Sequence, residues 1–147
     1  MKNVYFDSAY LVKCYIEEPD SSKVFALLQS VEAVYSSAVC IAEIACALHR
    51  SVRERIISRE YADFARQAFS GDSTRGVVQL ISLSEDILRA VETVTARLPS
   101  AIFLRAGDAI HLASAQLEGF AEIWSNDRHM LKAASHFGLA GRSVQKL

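Results

Sequence analysis

The chain has 147 residues, a length typical of one domain, and its 51% apolar and 22% charged residues exclude an intrinsically disordered protein. A net charge of −1 argues against a protein that holds nucleic acid by bulk positive charge, although not against an enzyme whose acidic site offsets basic surroundings. The longest uncharged segment, residues 33–42, is too short to span a bilayer, and the start lacks a signal-peptide apolar run. Three cysteines in apolar surroundings predict buried, reduced thiols and a cytoplasmic protein without membrane contact.

Strand and helix signals alternate along the chain. The predicted strands cover residues 3–6, 33–36, 77–81, 122–125 and, at an edge, 143–145. The predicted helices cover residues 8–18, 20–31, 37–50, 58–69, 84–98, 106–119 and 127–135, and residues 71–73 break the chain after the fourth. This order predicts an α/β fold with a small, mostly parallel twisted sheet of four or five strands and helices on both faces. Such sheets bind ligands at the carboxyl ends of their strands.

Two acidic residues directly follow predicted strands. Asp7 comes after the first strand and Asp127 after the strand at residues 122–125, so both lie where an α/β sheet binds its ligand. Each also has a simpler interpretation as a helix N-cap, because Asp residues between a strand and a helix commonly accept backbone N–H groups. Two further acids in unusual places favour a shared site over two separate caps.

Those two acids are isolated in apolar helical segments. Glu43 is the only charged residue in residues 38–48, and a carboxylate on such a helix must be paired, protonated or bound to a metal. Asp108 begins a helix whose next nine residues are uncharged. The alternatives are an ion pair of Glu43 with Arg50 and a first-turn Asp108 favoured by the helix dipole. His111, one turn after Asp108, is either a packed, hydrogen-bonded histidine or a further metal ligand.

The chemistry of clustered carboxylates favours a hard cation. Four such groups close together repel, so some would stay protonated at neutral pH without a counter-charge. Oxygen ligands select Mg²⁺ or Mn²⁺, and the chain has no Cys/His set with zinc spacing. It also lacks a G-x-x-x-x-G-K-[ST] loop, and Ala9 stands where an aspartyl phosphatase would carry its second Asp. These features favour metal-assisted hydrolysis of a phosphodiester.

Several short motifs follow one another along nearly the whole chain. They are Asp7-Ser8, Leu11-Val12-Lys13, Glu17-Glu18-Pro19, Ala42-Glu43-Ile44, Ala106-Gly107-Asp108-Ala109-Ile110-His111-Leu112-Ala113 and Ser125-Asn126-Asp127. In this order they resemble the PIN-domain ribonucleases, and within them the VapC-type toxins of bacterial and archaeal toxin–antitoxin pairs. The resemblance implies one PIN-like nuclease domain over residues 1–147, endonucleolytic cleavage of RNA with Mg²⁺ or Mn²⁺, inhibition by a cognate antitoxin, and a homodimer.

The resemblance also implies roles for the four acids. Asp7 and Asp108 would ligate the metal directly. Glu43 would ligate the metal or orient the attacking water, and Asp127 would act through water or bind a second ion.

Other residues near the motifs have weaker implied roles. Ser8 and Ser125 would hold the carboxylates through hydrogen bonds. The chain departs from the family pattern at Ala9, where relatives often have a hydroxyl residue, and at Ser125, where Thr is commoner; neither change removes an acid. Lys13 and Arg105 are candidate contacts to RNA phosphates.

Two interpretations compete with these roles. The arginines at positions 50, 53, 55 and 59 are interpreted as the positive end of a helix and a solvated face rather than an RNA contact. Tyr5 and Trp124 are interpreted as core aromatics rather than base-stacking groups. The rival function is a catalytically inactive PIN-like binding module whose acidic pocket receives a basic segment of a partner.

Overall fold

The computed structural model describes residues 2–145, so Met1, Lys146 and Leu147 of the predicted domain lie outside the described residues. Five strands alternate with seven α-helices over this part of the chain, as predicted. The strands are β1 (Val4–Tyr5), β2 (Val34–Ser37), β3 (Val78–Ile81), β4 (Glu122–Trp124) and β5 (Ala140–Arg142). The helices are α1 (Ser8–Tyr15), α2 (Ser21–Gln29), α3 (Cys40–Arg53), α4 (Arg59–Thr74), α5 (Glu85–Thr95), α6 (Ala106–Leu117) and α7 (Arg128–Ala133), followed by a 3₁₀ turn at Ala134–Phe137.

The strands form a three-stranded parallel sheet in the order β3-β2-β1 and a two-stranded parallel sheet of β4 and β5. β2 pairs with β1 and β3, and β4 pairs with β5, in each case in parallel. A parallel bridge between Phe6 and Trp124 joins the two groups of strands, and the Asp7 N–H donates to the Trp124 carbonyl at 3.2 Å. This topology confirms the predicted α/β class, and it makes β1 and β4 neighbours.

Helices cover both faces of the sheet. Val4 and Phe6 point into an apolar core formed with α1, α2, α3 and α4, whereas Tyr5 between them lies in a second core with α5, α6 and α7. The alternation follows from the two-residue period of a strand and explains why all three side chains of this short run are buried. Within residues 2–145, none of the helices combines the length and apolar character that crossing a bilayer requires.

The predicted chain break at residues 71–73 is wrong. α4 continues through Gly71 to Thr74 and stops at Gly76, which has a φ of 78°. The Gly76 N–H donates to the Ser73 carbonyl and the Val77 N–H to the Asp72 carbonyl at 2.9 Å, the pair of bonds that closes a Schellman C-cap. A left-handed residue is needed there, so Gly76 ends the helix while Gly71 is tolerated within it.

The last strand also differs from the prediction. β5 lies at Ala140–Arg142 rather than at residues 143–145. A Cβ on Gly141 would lie 2.8 Å from the Leu131 side chain and 3.2 Å from its Cα, so glycine allows β5 to pass close to α7. The small, glycine-containing segment carries little strand signal in the sequence, and its pairing with β4 outweighs that weak propensity.

The third helix begins later and is less buried than predicted. Ser37 belongs to β2, where it pairs with Ile81, so α3 starts at Cys40. Only one face of α3 is buried, and Ile41 on another face is 53% exposed. Of the three cysteines, predicted to be buried, Cys40 is buried and Cys14 is half-buried, but Cys46 is exposed; none of them forms a disulfide.

Candidate active site

One cleft of about 350 Å³ is lined by all four acids singled out in the sequence. Asp7 and Asp127 reach it from the carboxyl ends of the neighbouring strands β1 and β4. Glu43 reaches it from the first turn of α3, and Asp108 from the first turn of α6. The cleft therefore lies at the edge of the sheet where parallel α/β folds bind ligands.

Asp7 and Asp127 each cap a helix as well as lining the cleft. The Tyr10 N–H donates to Asp7 Oδ1 at 2.9 Å, and the His129 N–H donates to Asp127 Oδ1 at 2.8 Å. The N-cap interpretation is therefore correct for both residues. Each cap uses only one carboxylate oxygen, however, and Asp127 Oδ2 lies 3.3 Å from the guanidinium of Arg105. Capping and a place in a shared site are thus compatible.

Glu43 is held from two sides at one of its carboxylate oxygens. The Ser8 hydroxyl donates to Glu43 Oε1 at 2.6 Å, and His111 Nε2 lies 2.7 Å from the same oxygen. Burial raises the pKa of Glu43, but the hydrogen bonds from His111 and Ser8 outweigh it and leave the pKa below its usual value. The alternative ion pair with Arg50 is not formed among the described residues.

His111 is a buried, hydrogen-bonded histidine, as one of its two interpretations stated. It is 1% exposed, and its Nδ1 lies 2.8 Å from the Tyr5 hydroxyl oxygen. Sequence reasoning paired it with Asp108 through helical spacing and missed its contact with Glu43 on α3. A signal was present, because Glu43 and His111 are isolated polar groups on apolar helical segments and each needs a buried partner.

Arg105 links two of the acids. Its Nε lies 3.3 Å from Asp108 Oδ2 and its Nη2 lies 3.3 Å from Asp127 Oδ2, while 64% of its side chain is exposed. The guanidinium is a counter-charge for both carboxylates, but because it is exposed to solvent these ion pairs are weak. Asp108 also lies in the first turn of α6, so the helix-dipole interpretation fits the same residue.

Burial, with a smaller contribution from neighbouring carboxylates, raises the pKa values of two acids in the cleft. Burial raises the pKa of Asp7, nearby Asp108 raises it further, and the Ser125 hydroxyl acts in the opposite direction. Burial also raises the pKa of Asp108, and Asp127 adds to this rise while Arg105 opposes it. Two carboxyls therefore hold their protons more tightly than in water, chiefly because they are buried.

The donor set fits a hard divalent cation. All four acids offer oxygen ligands, and a Cβ on Gly107 would lie 3.2 Å from Glu43 Oε2, so glycine leaves space for this carboxylate oxygen beside α6. Within residues 2–145, no three His, Cys, Asp or Glu side chains already enclose a metal-sized position. Mg²⁺ needs no such enclosure, because it is usually held by one or two carboxylates and keeps several waters.

The other predicted contact residues separate into those inside and outside the site. Ser125 is buried, and its hydroxyl accepts a hydrogen bond from the Asp127 N–H at 2.9 Å. Lys13 lies outside the cleft, where its ammonium donates to the Pro19 carbonyl at 2.8 Å and lies 3.8 Å from Glu18. An RNA contact by Lys13 stays a prediction, and its position gives no support for it.

Arg50 lies in the cleft although its sequence context was interpreted as a solvated face. It follows Glu43 by two helical turns on α3 and lines the same cavity, and it forms no ion pair with any of the described residues. Arg53, in the last turn of α3, lies outside the cavity lining. Tyr5 is fully buried and Trp124 packs against the core, as the core interpretation states for both.

Comparison with known proteins shows the family of the chain. Residues 4–135 match the sequence profile of the PIN domain family. The chain belongs to this family. Two relatives are each 31% identical over 134 residues, which cover 88% of this PIN domain protein and 88% of the relative. They are Ribonuclease VapC45 of Mycobacterium tuberculosis (strain CDC 1551 / Oshkosh) and Ribonuclease VapC49 of Mycobacterium tuberculosis (strain ATCC 25618 / H37Rv).

Solved structures share the fold at low sequence identity. VapBC2 from Rickettsia felis, bound to a DNA fragment from its promoter, aligns with a TM-score of 0.70 and 12% identity over 97% of this PIN domain and 98% of that chain. FitAcB from Neisseria gonorrhoeae aligns with a TM-score of 0.66 and 14% identity over 94% and 95%. These matches confirm the PIN-like fold inferred from the sequence motifs.

Proposed function

We propose that this PIN domain protein is an endoribonuclease dependent on Mg²⁺ or Mn²⁺ and the toxin of a type II toxin–antitoxin pair. The observation that carries the proposal is the meeting of four acids from distant parts of the chain in one cleft. The names of the VapC relatives support ribonuclease activity, because identity of 31% extends over most of both chains. A further solved structure that shares the fold, a toxin–antitoxin complex from Klebsiella pneumoniae with a TM-score of 0.55 and 16% identity, supports an antitoxin partner.

The acids of the cleft would have different roles in phosphodiester hydrolysis. Asp7 and Asp108 would hold the cation, with Asp127 and Glu43 beside them. When bound, the cation would neutralise charge on the phosphoryl oxygens and lower the pKa of a bound water. Glu43, whose lowered pKa keeps its carboxylate ionised and whose Oε1 is fixed by hydrogen bonds, would orient the attacking water. Cleavage would leave a 5′-phosphate and a 3′-hydroxyl.

Two arginines that line the cleft together with the acids would bind the RNA backbone. Arg105 is mostly exposed and reaches the cleft from the start of α6, while Arg50 reaches it from α3 and has no ion-pair partner among residues 2–145. A guanidinium can grip phosphate oxygens with two parallel hydrogen bonds. Local positive charge at the rim would therefore replace the overall basic charge that the chain lacks.

The proposal includes a homodimer in the cytoplasm. α3 exposes Ile41, which lines an apolar groove of about 310 Å³ together with Phe69 and Leu80. An exposed apolar surface of this kind commonly marks a protein interface. Free thiols on Cys14, Cys40 and Cys46 suit a reducing compartment. Size-exclusion chromatography with light scattering would check this part: Ile41→Glu should shift a dimer towards monomer.

A second candidate function has one observation in its favour. Arg105 already lies between Asp108 and Asp127, so the cleft accepts a guanidinium. A catalytically inactive module could receive an arginine of a partner in the same place. This function predicts tight binding of a basic peptide and no hydrolysis of RNA with any divalent metal.

Cleavage of RNA by the purified protein tests the proposal. Wild-type protein should cut RNA with Mn²⁺ or Mg²⁺ and stop cutting when EDTA is added. Asp108→Asn should lower kcat by at least about 100-fold, because even the mutation of a residue that only supports a metal ligand typically lowers metal affinity or activity 10–100-fold. The matched control is Asp63→Asn, because Asp63 is an exposed acid on α4 whose ion pair in the described part of the chain is with Arg66. Cleavage that persists in EDTA or in Asp108→Asn would overturn the metal-dependent nuclease, and binding of a basic peptide without cleavage would establish the second candidate.

A further inference from the structure

A buried histidine joins three elements around the proposed site. His111 on α6 contacts Tyr5 on β1, Ser8 on α1 and Glu43 on α3, with separations of 2.8, 2.8 and 2.7 Å. At 1% exposure it cannot itself reach an RNA chain. Within residues 2–145, its hydrogen-bond contacts with the cleft acids and their partners are those with the Glu43 carboxylate and with the Ser8 hydroxyl that also holds it.

Counting donors assigns the tautomer of His111. The Ser37 N–H donates to the Tyr5 hydroxyl oxygen at 2.9 Å, which leaves the Tyr5 O–H free to donate to His111 Nδ1. An Nδ1 that accepts requires the proton of a neutral imidazole to be on Nε2. Nε2–H then donates to Glu43 Oε1. Each group in the series therefore donates to the next, from the Ser37 N–H through Tyr5 and His111 to the Glu43 carboxylate.

From this chain of hydrogen bonds we infer that His111 is a positioning residue for Glu43, an inference that rests on the proposed function. His111 and Ser8 both bind Oε1, so the carboxylate cannot rotate. Oε2 stays beside Gly107 at the start of α6, where it would bind either the cation or a water held by the cation, so in both cases its position would affect affinity for the cation. Buried partners that orient a metal-site group act in this way in many proteins.

Packing alone is the competing explanation for His111. Its ring also meets the Tyr5 ring edge to face, with centroids 5.9 Å apart at 78°. A purely packing role requires an apolar side chain of similar size and no particular N–H group. The two roles therefore differ in what a substitution that keeps the donor would do.

Affinity for Mn²⁺ separates the two roles. His111→Leu keeps bulk and removes the donor, and should weaken Mn²⁺ binding, measured by calorimetry on metal-stripped protein, by 10–100-fold. His111→Gln keeps an N–H near Nε2 and should restore the affinity to within about threefold. The loss of RNA cleavage in His111→Leu should appear as a lower kcat and not as a higher KM for RNA. The control is Ser114→Ala, a buried α6 residue whose hydroxyl has no hydrogen-bond partner among residues 2–145, which should change neither quantity.

A double-mutant cycle tests whether His111 acts through Glu43. In a Glu43→Ala background, His111→Leu should cause no further loss of Mn²⁺ affinity. Equal losses in both backgrounds, or equal affinities of the Leu and Gln variants, would overturn the inference while leaving the nuclease intact. Wild-type protein that neither binds Mn²⁺ nor cuts RNA would instead overturn the proposed function together with this inference.

A measurement without metal completes the test. The ¹⁵N chemical shifts of the His111 ring in metal-free protein should show a protonated Nε2 and an unprotonated Nδ1. Tyr5→Phe, which keeps the ring and removes the O–H, should weaken this preference and serves as the second variant if His111→Leu does not fold. A protonated Nδ1 in wild-type protein would contradict the chain of hydrogen bonds.

Discussion

At the scale of single residues, the cleft uses side chains that have two tasks. Asp7 and Asp127 each cap a helix with Oδ1, which fixes the carboxylate relative to the backbone. A capping Asp is normally exposed. Asp7 is only 4% exposed, so its carboxylate lies where burial disfavours the ionised form. Buried carboxylates with perturbed pKa values are typical of functional sites, where the stability of the fold is lower than it would be without them.

The first prediction concerns the stability of metal-free Asp7→Asn. Asn can still accept the Tyr10 N–H, and it removes a buried charge, so the variant should be more stable than wild type by about 1 kcal/mol at pH 7. The raised pKa of Asp7 means that wild type loses stability as pH rises from 3.8 through the folded-state pKa. Urea unfolding in EDTA should therefore show an advantage that shrinks as the pH is lowered. An advantage independent of pH would contradict the assigned cause.

The second prediction concerns Arg105, which competes with a cation for Asp108 and Asp127. Each exposed ion pair contributes about 0.2–1 kcal/mol, so Arg105→Gln should tighten Mn²⁺ binding by up to about tenfold. The same change should raise KM for RNA because a phosphate contact is lost. Arg89→Gln is the matched control, since Arg89 bridges Glu85 and Glu92 on exposed α5. Weaker Mn²⁺ binding in Arg105→Gln would mean that Arg105 supports the ligands instead.

At the scale of elements, the start of α6 must pass close to α3. Gly107 makes this approach possible, because any larger residue would place its Cβ 3.2 Å from Glu43 Oε2. The carboxylate cannot move aside easily, since Ser8 and His111 hold its other oxygen. The glycine in the Ala106-Gly107-Asp108 motif thus has a steric reason that a sequence pattern alone does not reveal.

The third prediction compares two glycines in helices. Gly107→Ala gains up to about 1 kcal/mol of helix propensity, so the fold should persist while Mn²⁺ affinity and cleavage fall. Gly71→Ala is the control, because its Cβ would meet only the tip of the flexible Arg75 side chain at 3.1 Å. It should raise Tm without changing cleavage. Equal cleavage by the two variants would show that Glu43 tolerates displacement.

Sequence patterns predicted the type of each element better than its ends. Hydrophobic periodicity fixes which residues face a core, and this is why every predicted helix exists. The ends depend on contacts that are distant in sequence: Ser37 joins β2 because Ile81 pairs with it, and β5 lies at Gly141 because α7 allows a close approach. Local signals at residues 37 and 71–73 could not contain that information.

At the scale of the whole molecule, the acids could be predicted but their neighbours could not. Asp7 and Asp127 follow strands, and an isolated acid on an apolar helix is visible in any sequence. The contact of His111 with Glu43 depends on how α3 and α6 meet across the sheet, and the position of Arg50 depends on the direction of α3. Such relative placements arise from tertiary packing, which a single sequence does not display.

The fourth prediction concerns the stability of the whole fold with metal. A cation that binds only the folded state at 100 times its Kd adds about 2.7 kcal/mol. For a domain of this size, that should raise Tm by about 5–10 °C. Asp108→Asn should abolish most of the Mn²⁺-dependent rise in differential scanning calorimetry, whereas Asp63→Asn should retain it. An equal rise in both variants would locate the cation elsewhere.

The position of β1 between β2 and β4 has a consequence for synthesis of the protein. The first strand pairs with β2 on one side, but its other neighbour, β4, begins only at Glu122. Asp7 and Asp127 therefore come together only after β4 and the start of α7 have been synthesised. For the proposed ribonuclease, a nascent chain without β4 would be unable to cut its own messenger, because Asp127 would not yet have joined Asp7 in the cleft.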